Sequence, residues 1–111
     1  MKLQKEIVKE LAGFASLLKQ MEKDNRLLPT HLSLFTGLFV CWQRNGFTSP
    51  FSVTRKTLMA FSKVASIATY HKCIRELDEY CYIRYQPSYH PKQGSLVYWP
   101  EAQTVAKKDG V

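Results

Sequence analysis

Apolar residues recur at helical spacing from the first residues of the chain. Leu3, Ile7, Leu11, Phe14, Leu18 and Met21 are separated by steps of three and four, with Lys and Glu between them. This spacing predicts one amphipathic helix over residues 2–24. Such a stripe must bury itself, either on the protein's own body or on the same helix of a second subunit, since the spacing approaches a heptad. Pro29 and Thr30 open a second helix over 29–44, with Leu32, Phe35, Leu38, Phe39 and Trp42 as its core face and Asn45-Gly46 as its close. A turn at Thr48-Ser49-Pro50 leads into Phe51-Ser52-Val53, long enough for one short strand. Thr54 is a fair N-cap for a helix over 55–62 carrying Leu58, Met59 and Phe61. After Lys63-Val64-Ala65, Ser66 caps a further helix reaching residue 80, with Ile67, Tyr70, Cys73 or Ile74, and Leu77 turned inward. Beyond Cys81 the period changes. Residues 82–86 and 96–99 are β-rich runs joined by an extended hairpin loop over 87–95. The division is an N-terminal helix at 1–28, a domain at 29–100 and a polar, flexible tail at 101–111.

Charge changes the picture. The net charge is +7 over 111 residues, and a positive field of that kind favours polyanionic partners, nucleic acid before an acidic membrane surface. The distribution says more than the total: from Asn25 to Arg75 there is no Asp or Glu, yet the stretch carries Arg26, Arg44, Arg55, Lys56, Lys63, Lys72 and Arg75. Solvation alone does not choose a sign. Cys41, Cys73 and Cys81 sit among apolar neighbours without Cys-x-x-Cys spacing, which suggests reduced, mostly buried thiols in a cytoplasmic protein. The longest apolar stretch, around residues 34–42, is too short to span a bilayer, so no membrane partner is expected.

Helix, short strand, helix, tight turn, helix, then a two-stranded hairpin is the layout of a winged helix-turn-helix: mainly α with a small β-wing, here preceded by a long amphipathic helix. The run Ser66-Ile67-Ala68-Thr69-Tyr70-His71-Lys72-Cys73-Ile74-Arg75-Glu76-Leu77, followed by Tyr82-Ile83-Arg84-Tyr85, resembles the recognition helix and first wing strand of bacterial winged-helix regulators. With the wing loop at 87–95, the sequence looks most similar to small winged-helix proteins of Bacteroidetes mobile elements. The resemblance covers about residues 29–99. It departs at Cys81, where the broad family usually has Gly.

That layout and the helical period nominate the residues that would meet double-stranded DNA. Ala68, Thr69, His71, Lys72 and Arg75 lie on the outward face of the last helix. Arg75 or Lys72 is suited to guanine edges, and Thr69 or His71 to a base or a phosphate. Ser66 and the free N–H groups of the first turn suit a phosphate. Arg55 and Lys56 are placed for backbone contact, and His90, Lys92 and Gln93 flank the wing tip. The tyrosines and Trp99 read as packing residues.

Catalytic patterns are missing from the sequence. His31, His71 and His90 lack metal-ligand spacing, the five glycines form no phosphate loop, and Glu76-Asp78-Glu79 reads as a solvated helix face. The expectation is a DNA-binding regulator and not an enzyme, with no cofactor and no metal; a homodimer through Leu3, Ile7, Leu11, Phe14, Leu18 and Met21 follows only if that stripe is not buried on the protein's own body. An accessory factor for replication initiation or element excision, and a winged-helix module that binds protein, are the alternatives.

Overall fold

A computed structural model describes residues 4–88 and 94–100. In order along the chain are α1 (Gln4–Glu22), α2 (Pro29–Arg44), β1 (Phe51–Val53), α3 (Arg55–Ser62), α4 (Ile67–Glu79), β2 (Arg84–Gln86) and β3 (Ser95–Tyr98). The described part is thus mainly helical with a small antiparallel sheet. None of its helices is long and apolar enough to cross a membrane.

Local chemistry sets the helix ends. Pro29 occupies the first turn of α2, where its missing N–H costs nothing. Thr54 Oγ1 accepts from the Thr57 N–H at 3.2 Å and Ser66 Oγ accepts from the Thr69 N–H at 3.2 Å, so both expected caps form. Asn45 closes α2, its N–H donating back to the Cys41 and Trp42 carbonyls. Lys63 turns the chain between α3 and α4 in the left-handed region at φ 65°.

The sheet joins segments distant in sequence. β3 lies in the middle, antiparallel to β1 on one side and β2 on the other, with Phe51 opposite Val97 and Tyr85 also opposite Val97. The hairpin expected as a two-stranded unit is therefore anchored to the body by a third strand. Phe51 and Val53 point inward and Ser52 outward, as the two-residue strand period requires.

The core is centred on α2 and α4. Leu34, Phe35, Leu38 and Trp42 from α2 pack with Tyr70, Cys73, Ile74 and Leu77 from α4, and Leu58, Phe51, Ile83 and Val97 complete it. Gly37 lets α3 approach α2 closely. A Cβ there would stand 3.2 Å from Leu58 Cδ2 and 3.3 Å from Phe61 Cδ1, so the helix tolerates a residue that costs it about 1 kcal/mol in propensity.

Three apolar assignments need correction. In α1 the core takes Phe14, Leu17 and Met21, while Leu11 and Leu18 of the expected stripe stay exposed beside Val8. The helix carries two apolar faces, and the aromatic pocket of α2 selects the one with Phe14, which stacks on Phe35 at 5.0 Å between centroids. Leu32 is 44% exposed, because His31 and Leu34 face the core in its place. Ile67 is 49% exposed, at the free end of α4 before Tyr70 meets the body. Leu3, the Ile7 side chain and residues 101–111 lie outside the described residues.

The link between α1 and α2 is tied to the far end of α4. Asp24 accepts from Arg26 at 2.7 Å and from the Tyr82 hydroxyl at 2.8 Å, and the Arg26 guanidinium lies 4.0 Å from the Tyr80 ring centre. The Arg26 hydrogen bonds hold the Asp24 carboxyl well below the usual range against the opposing effect of burial. Burial, aided by the Asp24 carboxylate, pushes the Tyr82 phenol up to about 12.

Cys81, at the turn from α4 into β2, has φ 69°, a left-handed conformation that glycine adopts without a Cβ penalty. Cys81→Gly should therefore leave the fold intact and raise stability by up to about 1 kcal/mol. A urea melt in which that variant is clearly less stable than wild type would show that the thiol contributes more than the backbone strain removes.

Candidate nucleic-acid interface

Helix α4 and the β2–β3 hairpin present polar side chains beside one another, lining two adjoining clefts. On α4 the buried residues Tyr70, Cys73, Ile74 and Leu77 define the inward direction. By the helical period, Ala68, Lys72 and Arg75 then occupy the centre of the opposite face, and all three are exposed. That stripe ends at exposed Glu79, whose carboxylate would repel a phosphate, so its basic part belongs to the first turns of α4.

His71 and Thr69 leave this centre line in opposite directions. His71, exposed, leans toward the hairpin and lines a cleft of about 400 Å³ with Arg75, Asp78, Tyr85 and Pro87. Thr69, half-buried, turns to the flank nearer α2, and its N–H is held by the Ser66 cap. Ser66 Oγ is engaged in that cap as acceptor, leaving its hydroxyl hydrogen for an outside partner.

Arg55 and Lys56 are both exposed in the first turn of α3, where no acidic residue stands. They place two cations at the partially positive end of a helix dipole, an electrostatic cost of about 0.3–1 kcal/mol each that an anion would relieve. His90, Lys92 and Gln93 lie outside the described residues.

The hairpin adds three residues not nominated from the sequence. Arg84 and Gln86 are exposed on β2, and the Arg84 guanidinium sits 5.1 Å from the ring centre of Tyr98 on β3. The Tyr98 hydroxyl donates to Gln86 Oε1 at 3.2 Å. A second cleft of about 340 Å³ is lined by Arg84, Gln86, Tyr98, Asp78, Tyr85 and Pro87. Strand alternation was the available signal: with Ile83 and Tyr85 turned inward, Arg84 and Gln86 must point out.

The angle between α4 and the hairpin is held by hydrogen bonds. Asp78 Oδ2 accepts from the Tyr85 N–H at 3.2 Å, so the one acid lining both clefts is the tie between helix and strand. The Tyr85 hydroxyl donates to Ser95 Oγ at 3.0 Å, bridging β2 to β3. On the far flank of α4, buried His31 places Nδ1 2.8 Å from the Leu28 N–H and Nε2 2.9 Å from Glu76 Oε1. An N–H can only donate, so Nδ1 is the acceptor and Nε2 carries the proton to Glu76.

Compared with known proteins, the chain matches no family model, no curated protein and no solved structure.

Proposed function

We propose that this chain is a winged helix-turn-helix protein that binds double-stranded DNA. The observation that carries the reading is the adjacency of the exposed Lys72–Arg75 face of α4 and the Arg84–Gln86–Tyr98 face of the hairpin, joined across a cleft that His71 and Arg75 themselves line. In this reading α4 enters the major groove, Arg55 and Lys56 meet the phosphates, and the hairpin is the wing. Within that class we assign it the role of a sequence-specific transcriptional regulator in the cytoplasm, of the kind the resemblance to Bacteroidetes mobile-element proteins implies. A role in replication initiation or excision would use the same surface.

The deciding experiment is fluorescence anisotropy of a labelled random-sequence duplex at low and moderate salt. Binding that weakens in proportion to the number of phosphates neutralised is expected, and no binding at low salt would sink the reading. On a selected cognate site, Arg75→Ala should lose about 1–3 kcal/mol while random duplex loses less. Equal losses on both would remove Arg75 from the base-reading residues.

The self-association we propose keeps Leu11 and Leu18 of the expected stripe and replaces Phe14 and Met21 with Val8 and Ala15. Phe14 and Met21 serve the core, whereas Val8, Leu11 and Leu18 are 59%, 36% and 42% exposed. With exposed Ala15 they form a three-four-three seam that a second copy of α1 would cover. So short a seam gives a weak dimer, and a monomeric mass in light scattering across the micromolar range would overturn it.

A further inference from the structure

A His31 ring nitrogen, Cys73 Sγ and a Glu76 carboxylate oxygen lie within 4.8 Å of one another, on the flank of α4 away from the hairpin, and Nε2 is the nitrogen that meets Glu76 Oε1, at 2.9 Å. His31 and Cys73 are buried and Glu76 is 22% exposed, so the cluster is closed on the protein side and open at one edge. Thr30 Oγ1 stands 3.4 Å from Cys73 Sγ. We propose that these three side chains form a binding site for a thiophilic divalent ion, zinc above all, linking the first turn of α2 to α4.

The donor set carries the choice of ion. One thiolate, one imidazole and one carboxylate suit a borderline-soft metal and are poorly matched to calcium or magnesium, which take oxygen. Bonds of about 2.3 Å to sulfur and 2.0–2.2 Å to nitrogen and oxygen place tetrahedral ligand atoms roughly 3.3–3.6 Å apart. The widest present separation must therefore close by about an ångström, and the His31–Glu76 pair must open by a few tenths. Cys73 and Glu76 are three residues apart on one helix face, so the same backbone holds two of the three ligands in register. The fourth position falls to water or to the Thr30 hydroxyl.

Metal binding here has a definite proton balance. The Cys73 thiol gives its proton to solvent as sulfur binds. The proton on His31 Nε2 transfers through solvent to Nδ1, because the metal needs the Nε2 lone pair. Nδ1–H then faces the Leu28 N–H, so the cap on α2 loses one hydrogen bond in exchange for the metal bonds. The metal-free state is the His31–Glu76 hydrogen-bonded pair, and occupancy is reported at Leu28, a backbone position that binds no metal.

The test uses the full chain, reduced and freed of metal with chelator, titrated with cobalt and then zinc. One equivalent of cobalt should produce a thiolate-to-cobalt charge-transfer band with tetrahedral visible bands, and zinc should displace both. Zinc should also shift the Leu28 amide resonance and move the His31 proton to Nδ1 in nitrogen NMR spectra. Cys73→Ser should abolish the charge-transfer band and weaken zinc at least about tenfold, with its fold checked by circular dichroism. Glu76→Gln should weaken zinc while keeping the band, and Cys81→Ser should behave as wild type. Absence of a stoichiometric cobalt complex, a wild-type cobalt spectrum from Cys73→Ser, or a Leu28 amide unmoved by one equivalent of zinc would each overturn the proposal.

Discussion

Trp42→Ala is expected to cost about 3–5 kcal/mol of folding stability, a large part of the 5–15 kcal/mol that holds a domain of this size. Trp42 is 1% exposed and packs at the meeting point of the chain's remote parts. Its ring lies within 6.2 Å of Phe14 on α1, 5.9 Å of Phe39, 4.9 Å of Phe47 before β1, and 5.5 Å of Trp99 after β3. Removing it empties the space that fastens α1 and the hairpin to α2, so both should loosen together. Trp42→Phe separates packing from polarity. The indole Nε1 has no hydrogen-bond partner among the described residues, so phenylalanine removes a buried donor along with the volume. The Phe variant should recover at least half of the loss in chemical denaturation. If Ala and Phe are equally damaging, the aromatic cluster is not what the ring supports.

Gly94→Ala should cost about 2–4 kcal/mol and damage the hairpin first. Gly94 stands immediately before β3 with φ +68°, where a side chain is strained in any surroundings. A Cβ there would also lie 2.6 Å from the Val53 carbonyl oxygen. That oxygen belongs to β1, whose Val53 pairs with Ser95, so it cannot move without opening the sheet. Displacing β3 carries Tyr98 with it, and with Tyr98 the ring beneath Arg84. If the proposed DNA-binding role holds, affinity for duplex should therefore fall even at temperatures where the helical body remains folded, a pattern readable by anisotropy beside near-ultraviolet circular dichroism. A Gly94→Ala protein with native stability would mean that the β1–β3 edge yields more easily than its pairing suggests.

Much of the proposed interface was legible in the sequence because its signals are local. Ser66 and Thr54 accept from the N–H three residues on, a contact that short sequence spacing alone supplies. Once Tyr70, Ile74 and Leu77 are inward, the exposure of Ala68, Lys72 and Arg75 follows from the helical period. Arg84, Gln86 and Tyr98 were less accessible. Their relation depends on β2 and β3 pairing in register, with Arg84 opposite Tyr98. His31, Cys73 and Glu76 escaped altogether, since the His31–Glu76 contact spans 45 residues and no short motif joins them.

By itself the sequence determined the helices and strands, their caps and the acid-free basic stretch, all properties of neighbouring residues along the chain. Only the tertiary structure decided which of two apolar faces of α1 is buried, that β1 closes onto β3, that Leu32 and Ile67 face solvent, and that a histidine belongs in the core. Periodicity states that a helix has an apolar side. Burial is decided by the partner that side meets, and here the partners are brought in by α2 and β3 from far along the chain.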